Sequence, residues 1–201
     1  MNLLRELSMG EIVSRLAAVL LYAGLQGLVL AGLARLLGDK RPSYDKRLTP
    51  NPFAHLSVWG ALIAALFGMS WIRTLWYDAK SNPLGRWGVA LVVLAGLMAM
   101  VALVPLLDLL RPLALLLPRT GGYVVLYVLE QLQMMALASA LLNLLPIPGL
   151  IGGGFLQAIW PGQERRWRKW EPFGLALVIV GIVAGFIPNL ATSVLPFVTL
   201  R

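Results

Sequence analysis

Few side chains in the apolar parts of this sequence could carry catalysis or bind a metal. The chain has one histidine, His55, and no cysteine, so no thiol can act as a nucleophile or a metal ligand. Because a zinc site needs several ligands, we expect a structural or interfacial role for His55 rather than metal binding. Glu130 interrupts a long apolar run. It is either a proton relay or ligand contact, or it bonds a neighbouring helix or lies at the interface, and we favour the second role.

The most unusual stretch is residues 143–154, which read N-L-L-P-I-P-G-L-I-G-G-G. It is uncharged and follows a long apolar run, yet it contains two prolines and four glycines, which interrupt helices. Irregular backbone inside a membrane must be buried in protein or line a cavity, because lipid offers no hydrogen-bond partners. We therefore predict a broken, lipid-shielded segment at membrane depth.

The composition indicates which elements surround this segment. Of 201 residues, 59% are hydrophobic and only 13% are charged. A helix needs about 20 apolar residues to cross a bilayer. The runs that approach this length are residues 16–34, 54–72, 87–107, 121–145 and 172–200. The sequence therefore predicts an all-α, polytopic transmembrane helical bundle of about five spans. Residues 1–201 should form a single integral membrane domain, since no room is left for a soluble one.

The formal net charge of +8 at pH 7 comes from basic residues in short loops beside the apolar runs. This placement is typical of contacts with lipid head groups, and no aromatic-basic platform for nucleic acid accompanies it. We therefore expect lipids as partners and no nucleic acid. The strongest basic cluster, residues 163–171, contains Trp167 and Trp170. It predicts a membrane-surface anchor or a docking point for a partner subunit.

Three glycines in the first apolar run, Gly24, Gly27 and Gly32, bear on partners within the membrane. Small residues let two helices approach closely, which favours association where lipid is as apolar as the protein. We therefore expect a helix of another membrane protein subunit to pack against these glycines.

Residues 143–152 closely resemble the third signature of the site-2 proteases, which are intramembrane zinc metalloproteases. That signature reads N-x-x-P-x-P-x-L-D-G. The matching residues are Asn143, Pro146, Pro148, Leu150 and Gly152. Ile151 stands where the resemblance places the zinc-binding aspartate.

Other segments resemble one bacterial branch of the same family. That branch carries a G-D pair, then R-L-T-x-N-P-x-x-H and a glycine, similar to Gly38-Asp39, residues 47–52, His55 and Gly60 here. Ala95-Gly96 resembles the start of the family's A-G-P-x-x-N segment, although Leu97 and Met100 replace its proline and asparagine. The resemblance implies a multi-pass protein of a bacterial inner (cytoplasmic) membrane.

The catalytic motif of the family is absent. A zincin site needs two imidazoles one helical turn apart and a glutamate that activates water, carried by the family as H-E-x-x-H. The resemblance places this motif on residues 26–30, where Gln26 and Leu30 replace the histidines and Gly27 replaces the glutamate. It therefore implies a pseudoprotease with no catalytic residue, no metal and no cofactor.

Two functions are compatible with a protein that keeps the fold of the family but lacks its catalytic residues. The first is an accessory or scaffold subunit that joins other membrane protein subunits in a larger complex, for which a bioenergetic assembly is one setting. The alternative is a non-cleaving binding module for transmembrane peptides or lipid. A binding module requires an accessible, polar-lined cavity near Gln26 and Asn143, whereas a scaffold requires a cleft filled by side chains or by a partner. A transporter, which would rest on Glu130 alone, ranks last.

Overall fold

The computed structural model describes residues 9–114 and 116–199, apart from the side chain of residue 192. Residues 1–8, 115, 200 and 201 of the predicted domain thus lie outside the described part. The helices are α1 (Met9–Leu36), α2 (Arg41–Tyr44), α3 (Pro52–His55), α4 (Val58–Phe67), α5 (Gly85–Asp108), α6 (Arg111–Ala114), α7 (Arg119–Leu142), α8 (Gly153–Ile159), α9 (Glu164–Val183) and α10 (Ala191–Val198). Within the described residues there is no strand, only an isolated bridge between Leu56 and Ile72. The all-α prediction is confirmed.

Among the described residues, three helices are long and apolar enough to cross a membrane: α1, α5 and α7, with 28, 24 and 24 residues. All three pack against one another. The contact between α1 and α5 is close, because a Cβ atom added at Gly96 would lie 2.2 Å from Leu30 Cδ2. Close van der Waals contact of this kind holds apolar helices together inside a membrane.

The second predicted run, residues 54–72, forms a short helix followed by an extended segment that turns back. We call the two ends of the bundle the Arg15 end, after a residue near the start of α1, and the Arg41 end, after the first residue of α2. Helix α4 has only ten residues and runs toward the Arg15 end, where Arg15 donates to the Leu66 carbonyl at 3.1 Å. The segment then returns to the Arg41 end, where the backbone N–H of Asp78 donates to Asp39 Oδ2 at 2.8 Å.

This reversal is the reason that the second run is not a long helix. Gly68 ends α4 in the left-handed region, with φ of 69°, and the chain continues in an extended conformation. Side chains satisfy part of that extended backbone, since Arg47 donates to the Arg73 carbonyl and Gln157 accepts from the Tyr77 N–H. The excursion therefore begins beside the middle part of α1, where His55 lies against Gly27, and ends at the Arg41 end of the bundle.

The fifth predicted run also differs from expectation. Helix α9 begins at Glu164, so the basic cluster forms its first turns, and it ends at Val183 rather than continuing to residue 200. A turn that contains Asn189 separates it from the eight-residue helix α10. Asn189 stabilises this turn by donating to the Phe67 carbonyl at 3.1 Å and accepting from the Ala191 N–H at 3.1 Å. The charged first half leaves α9 with too short an apolar stretch to count among the membrane-crossing helices.

The glycines of α1 do not face a common partner surface. A Cβ atom at Gly24 would lie 2.7 Å from the Pro50 carbonyl oxygen, and one at Gly27 would lie 2.1 Å from the His55 ring. The chain's own segment 50–55 therefore covers both positions. Only Gly32 has open space, with no atom within 4 Å of an added Cβ. The expectation of a partner helix on all three glycines is wrong for Gly24 and Gly27.

Candidate functional site

Three positions at which the sequence predicts a degenerate metal site come together in the structure. Leu30 and Ile151 line the same small cavity, although 121 positions separate them in the sequence. Gln26 lies one turn before Leu30 on α1, and both side chains reach Gly96 in the middle of α5. The cavity between Leu30 and Ile151 has a volume of only about 10 Å³. That is room for one water molecule at most.

The chemistry of these side chains does not suit a metal. Gln26 is fully buried and its Nε2 donates to the Gly96 carbonyl at 3.2 Å, while Leu30 and Ile151 offer only hydrocarbon. In residues 9–114 and 116–199, no group of three or more histidine, cysteine, aspartate or glutamate side chains is placed to hold a metal ion. Gly27 contacts the His55 ring, on segment 50–55, rather than α5.

Asn143 organises the segment that follows α7. Its fully buried amide donates to the carbonyls of Ser70 and Ser139, both at 2.8 Å, and its Oδ1 accepts from the Ile151 N–H at 3.2 Å. Its backbone carbonyl accepts from the Gly152 N–H at 2.8 Å. Both amide hydrogens and an acceptor site are thus used to hold backbone. Asn143 joins the end of α7, the extended segment and the non-helical residues 143–152 into one unit.

The prolines and glycine of the same motif shape the packing of this segment. A Cβ atom at Gly152 would lie 2.4 Å from the Leu145 carbonyl oxygen, so only glycine fits there without a shift. The Pro148 carbonyl oxygen would lie 2.5 Å from a Cβ atom at Gly174 of α9, whereas Pro146 is exposed. The predicted break extends through Gly152, and Gly153 and Gly154 already belong to α8.

Arg47 is a structural residue whose role the sequence does not reveal. It is 6% exposed, and its guanidinium donates to the carbonyls of Ala54 at 2.7 Å and Arg73 at 2.5 Å. It therefore fastens the end of α3 to the extended segment. Its position beside Thr49, Pro50 and Asn51 is the only signal in the sequence, because hydropathy treats it as an ordinary loop charge.

His55 lies buried between α1 and the loop before α3, as a structural histidine rather than a ligand. Its Nε2 lies 2.9 Å from the Thr49 carbonyl, so a neutral ring donates there. Burial lowers the pKa of His55 below its ordinary value, the Thr49 hydrogen bond opposes this, and the charge of Arg47 adds to the lowering. The folded protein therefore keeps this ring neutral at a pH where the unfolded chain protonates it.

We expect the folded state to lose stability as the pH falls below about 6.5, the pKa of an unperturbed histidine. Below that pH the unfolded chain binds a proton that folded His55 resists, so acidification favours unfolding, by at most about 1.4 kcal/mol per pH unit. The measurement is the free energy of unfolding in detergent between pH 7.5 and about 5.5. The His55→Gln variant is the control, because His55 is the only histidine. An equal pH dependence in that variant would contradict the assignment.

Glu130 lies on the exposed surface of α7 and has no hydrogen bond or ion pair within the described part of the chain. One turn further on, Gln133 accepts from Arg111 at 2.7 Å and donates to Asp108 Oδ1 at 2.8 Å. Asp108 is the last residue of α5, and an ion pair of 2.9 Å joins it to Arg111. Glu130 therefore lies beyond the polar end of α5, toward the Arg15 end. The sequence did not single out this Asp108–Arg111–Gln133 cluster, although Gln133 stands near Glu130.

Comparisons with protein-family models, with curated proteins and with solved structures find no match to this chain. The resemblance to site-2 proteases therefore remains a prediction from the motif residues of the sequence.

Proposed function

We propose that this chain is a catalytically inactive, site-2-protease-like membrane protein that serves as an accessory or scaffold subunit of a larger membrane complex. The observation that carries the proposal is the meeting of Gln26, Leu30 and Ile151. Leu30 lines one small cavity with Ile151 and reaches Gly96 together with Gln26, so the positions that the resemblance assigns to metal ligands are neighbours that offer only an amide and hydrocarbon. If the backbone arrangement of the family is retained while the metal-ligating side chains are lost, a structural role that depends on the shape of the protein is favoured over catalysis.

The contacts of the broken segment support placing it at membrane depth. Leu30 meets both Ile151 and Gly96, and Gly96 lies halfway along α5. If α1 and α5 cross the membrane, residues 150–152 lie near its middle beside Leu30, where Leu150, Ile151 and Gly152 are buried in protein, while Leu144 and Pro146 are exposed. We propose a multi-pass protein of the bacterial cytoplasmic membrane with this arrangement.

The filled cleft favours a scaffold over a binding module. A module for transmembrane peptides or lipid needs an accessible, polar-lined cavity near Gln26 and Asn143. Both side chains are 0% exposed, and the cavity beside Leu30 has a volume of about 10 Å³. Neither a peptide nor a lipid chain fits in that space.

The experiment is purification of the chain from its native membranes after gentle solubilisation. We expect it to migrate as part of a larger assembly and to elute with other membrane proteins in fixed ratio, identified by mass spectrometry. Harsher detergent should release it as a monomer. A chain that always migrates alone, in the gentlest detergent that extracts it, would overturn the scaffold proposal.

The purified protein should contain no stoichiometric zinc, because Gln26, Leu30 and Ile151 supply no imidazole or carboxylate. Elemental analysis measures this, and near-stoichiometric zinc that survives washing with chelator would contradict it. The triple variant Gln26→His/Leu30→His/Ile151→Asp tests the underlying geometry. We expect it to retain zinc, since two histidines one turn apart and an aspartate form a three-ligand site. The double variant without Ile151→Asp is the control and should lose zinc at lower chelator concentration.

A further inference from the structure

A cavity of about 1070 Å³ opens at the Arg41 end of the bundle. Its walls come from four separate parts of the chain: the start of α2, the end of the extended segment with the turn that follows it, the first turns of α5, and the stretch from the end of α8 to the first turns of α9. It lies apart from the small cavity between Leu30 and Ile151, although Tyr77 contributes to both.

The cavity is lined by more cationic than anionic side chains. Its lining includes five cations and two carboxylates. Glu164 is held between Arg41, at 2.8 Å, and Arg168, whose two nitrogens lie at 2.6 and 2.9 Å. Burial raises the pKa of Glu164, but the hydrogen bonds and charges of these two arginines outweigh burial and hold that pKa below its ordinary value. The carboxylate therefore stays ionised and neutralises part of their charge.

The second carboxylate, that of Asp78, accepts hydrogen bonds from residues of its own turn. Asp78 accepts from the Lys80 N–H at 3.1 Å through Oδ1 and from the Ser81 hydroxyl at 2.8 Å through Oδ2. The hydrogen bond from Ser81 is the main cause of a lowered pKa for Asp78. Asp78 thus stabilises the turn at residues 78–81, and neither Lys80 nor another cation of the cavity forms an ion pair with it within the described residues.

Three cations are left over: Lys80, Arg86 and Arg165. All three are exposed, and within the described part of the chain no carboxylate pairs with any of them. Arg86 lies over the Trp87 ring at 5.4 Å from its centroid, which leaves guanidinium N–H groups available. A cavity with such an excess of positive charge suits an anion that accepts several hydrogen bonds.

The surroundings of the cavity indicate which anion. The cavity lies where the apolar helix α1 has just ended and the apolar helix α5 begins. Trp160 and Trp167 line it, with ring centroids 5.9 Å apart. Tryptophan collects at the level of lipid head groups, and basic pockets between membrane helices bind phosphate-bearing head groups.

We propose that this cavity binds the phosphate of an anionic phospholipid head group, with Lys80, Arg86 and Arg165 as its ligands. The lipid's acyl chains would extend along the apolar surface of α5. This site goes beyond the scaffold role, because it assigns a specific lipid to one place on the chain and holds whether or not a protein partner exists.

The test compares two triple variants of the full chain in detergent. The cavity variant is Lys80→Gln/Arg86→Gln/Arg165→Gln. The matched control is Lys40→Gln/Arg166→Gln/Lys169→Gln, which removes the same charge from exposed residues at the same end that do not line the cavity. Native mass spectrometry during titration with phosphatidylglycerol measures binding of single lipid molecules. Phosphatidylcholine and glycerol 3-phosphate are the comparison probes, and the thermal midpoint without lipid shows that each variant is folded.

We expect the wild-type chain to bind phosphatidylglycerol more tightly than phosphatidylcholine or glycerol 3-phosphate. The cavity variant should lose roughly a hundredfold in affinity, since each cation beside an anionic lipid contributes roughly fivefold. The control should lose less than about threefold. Restoring charge with Arg86→Lys and Arg165→Lys, while Lys80 is kept, should restore most of the binding. Equal losses in the two triple variants would overturn the site, and glycerol 3-phosphate binding as tightly as the lipid would overturn its assignment to a head group.

Discussion

The Gly27→Ala variant should be destabilised by about 2–3 kcal/mol or should fail to fold, whereas Gly32→Ala should leave stability unchanged or raise it by up to about 1 kcal/mol. The added Cβ at residue 27 would lie 2.1 Å from the His55 ring, which is itself fully buried. The ring has no free space to move into, so α1 and α3 must separate. At residue 32 no atom lies within 4 Å of the added Cβ. Both changes have the same intrinsic effect on helix propensity, so their difference reports the contact alone.

The measurement is reversible unfolding of the purified protein in mixed micelles, followed by tryptophan fluorescence. The double variant Gly27→Ala/His55→Ala provides the internal check, because removal of the ring makes room for the new methyl group. It should be less destabilised than the sum of the two single variants, by at least about 1 kcal/mol. Equal tolerance of alanine at both glycines, or strict additivity in the double variant, would show that His55 does not cover Gly27.

The Asn143→Leu variant should lose about 2–4 kcal/mol of stability. Leucine has a similar volume but removes two donated hydrogen bonds and one accepted one, all of them buried. The Ser70 carbonyl and the Ile151 N–H then lose their side-chain partner, at about 1–3 kcal/mol for each group left unsatisfied. A hydrogen bond between membrane helices stabilises a protein by less than this on average. The lower part of the range of about 1–3 kcal/mol therefore applies to each of the two unsatisfied groups.

Hydrogen exchange gives a second readout for the same variant. Because the Asn143 Oδ1 holds the Ile151 N–H, amide protection should fall across residues 143–152 before it falls in α1 or α5. The Asn189→Leu variant is the control, since Asn189 is exposed and its loss should cost less than about 1 kcal/mol. Wild-type stability and wild-type protection in the Asn143→Leu variant would contradict the role of Asn143 in holding the segment.

Local chemistry in the sequence determined a good part of this structure. The long apolar runs of α1, α5 and α7 are helices because no other structure satisfies backbone groups within so many apolar residues. Pro146, Pro148 and the glycines predict the end of helix after Leu142, since these residues interrupt the helical hydrogen-bond ladder wherever they stand. The lack of metal-ligating residue types at positions 26, 30 and 151 can be read directly from the letters.

Tertiary structure alone decided the rest. A hydropathy pattern does not reveal that residues 54–72 turn back at Gly68. The returning segment is held by two distant hydrogen bonds, from the Arg47 guanidinium to the Arg73 carbonyl and from the Asp78 backbone N–H to the Asp39 carboxylate. Nor does it show that segment 50–55 covers Gly27. The charged cavity is assembled from four separate parts of the chain, so no local window contains it. In each case the deciding contact joins residues distant in the sequence, and its energy depends on burial and on hydrogen-bond partners that only the folded chain supplies.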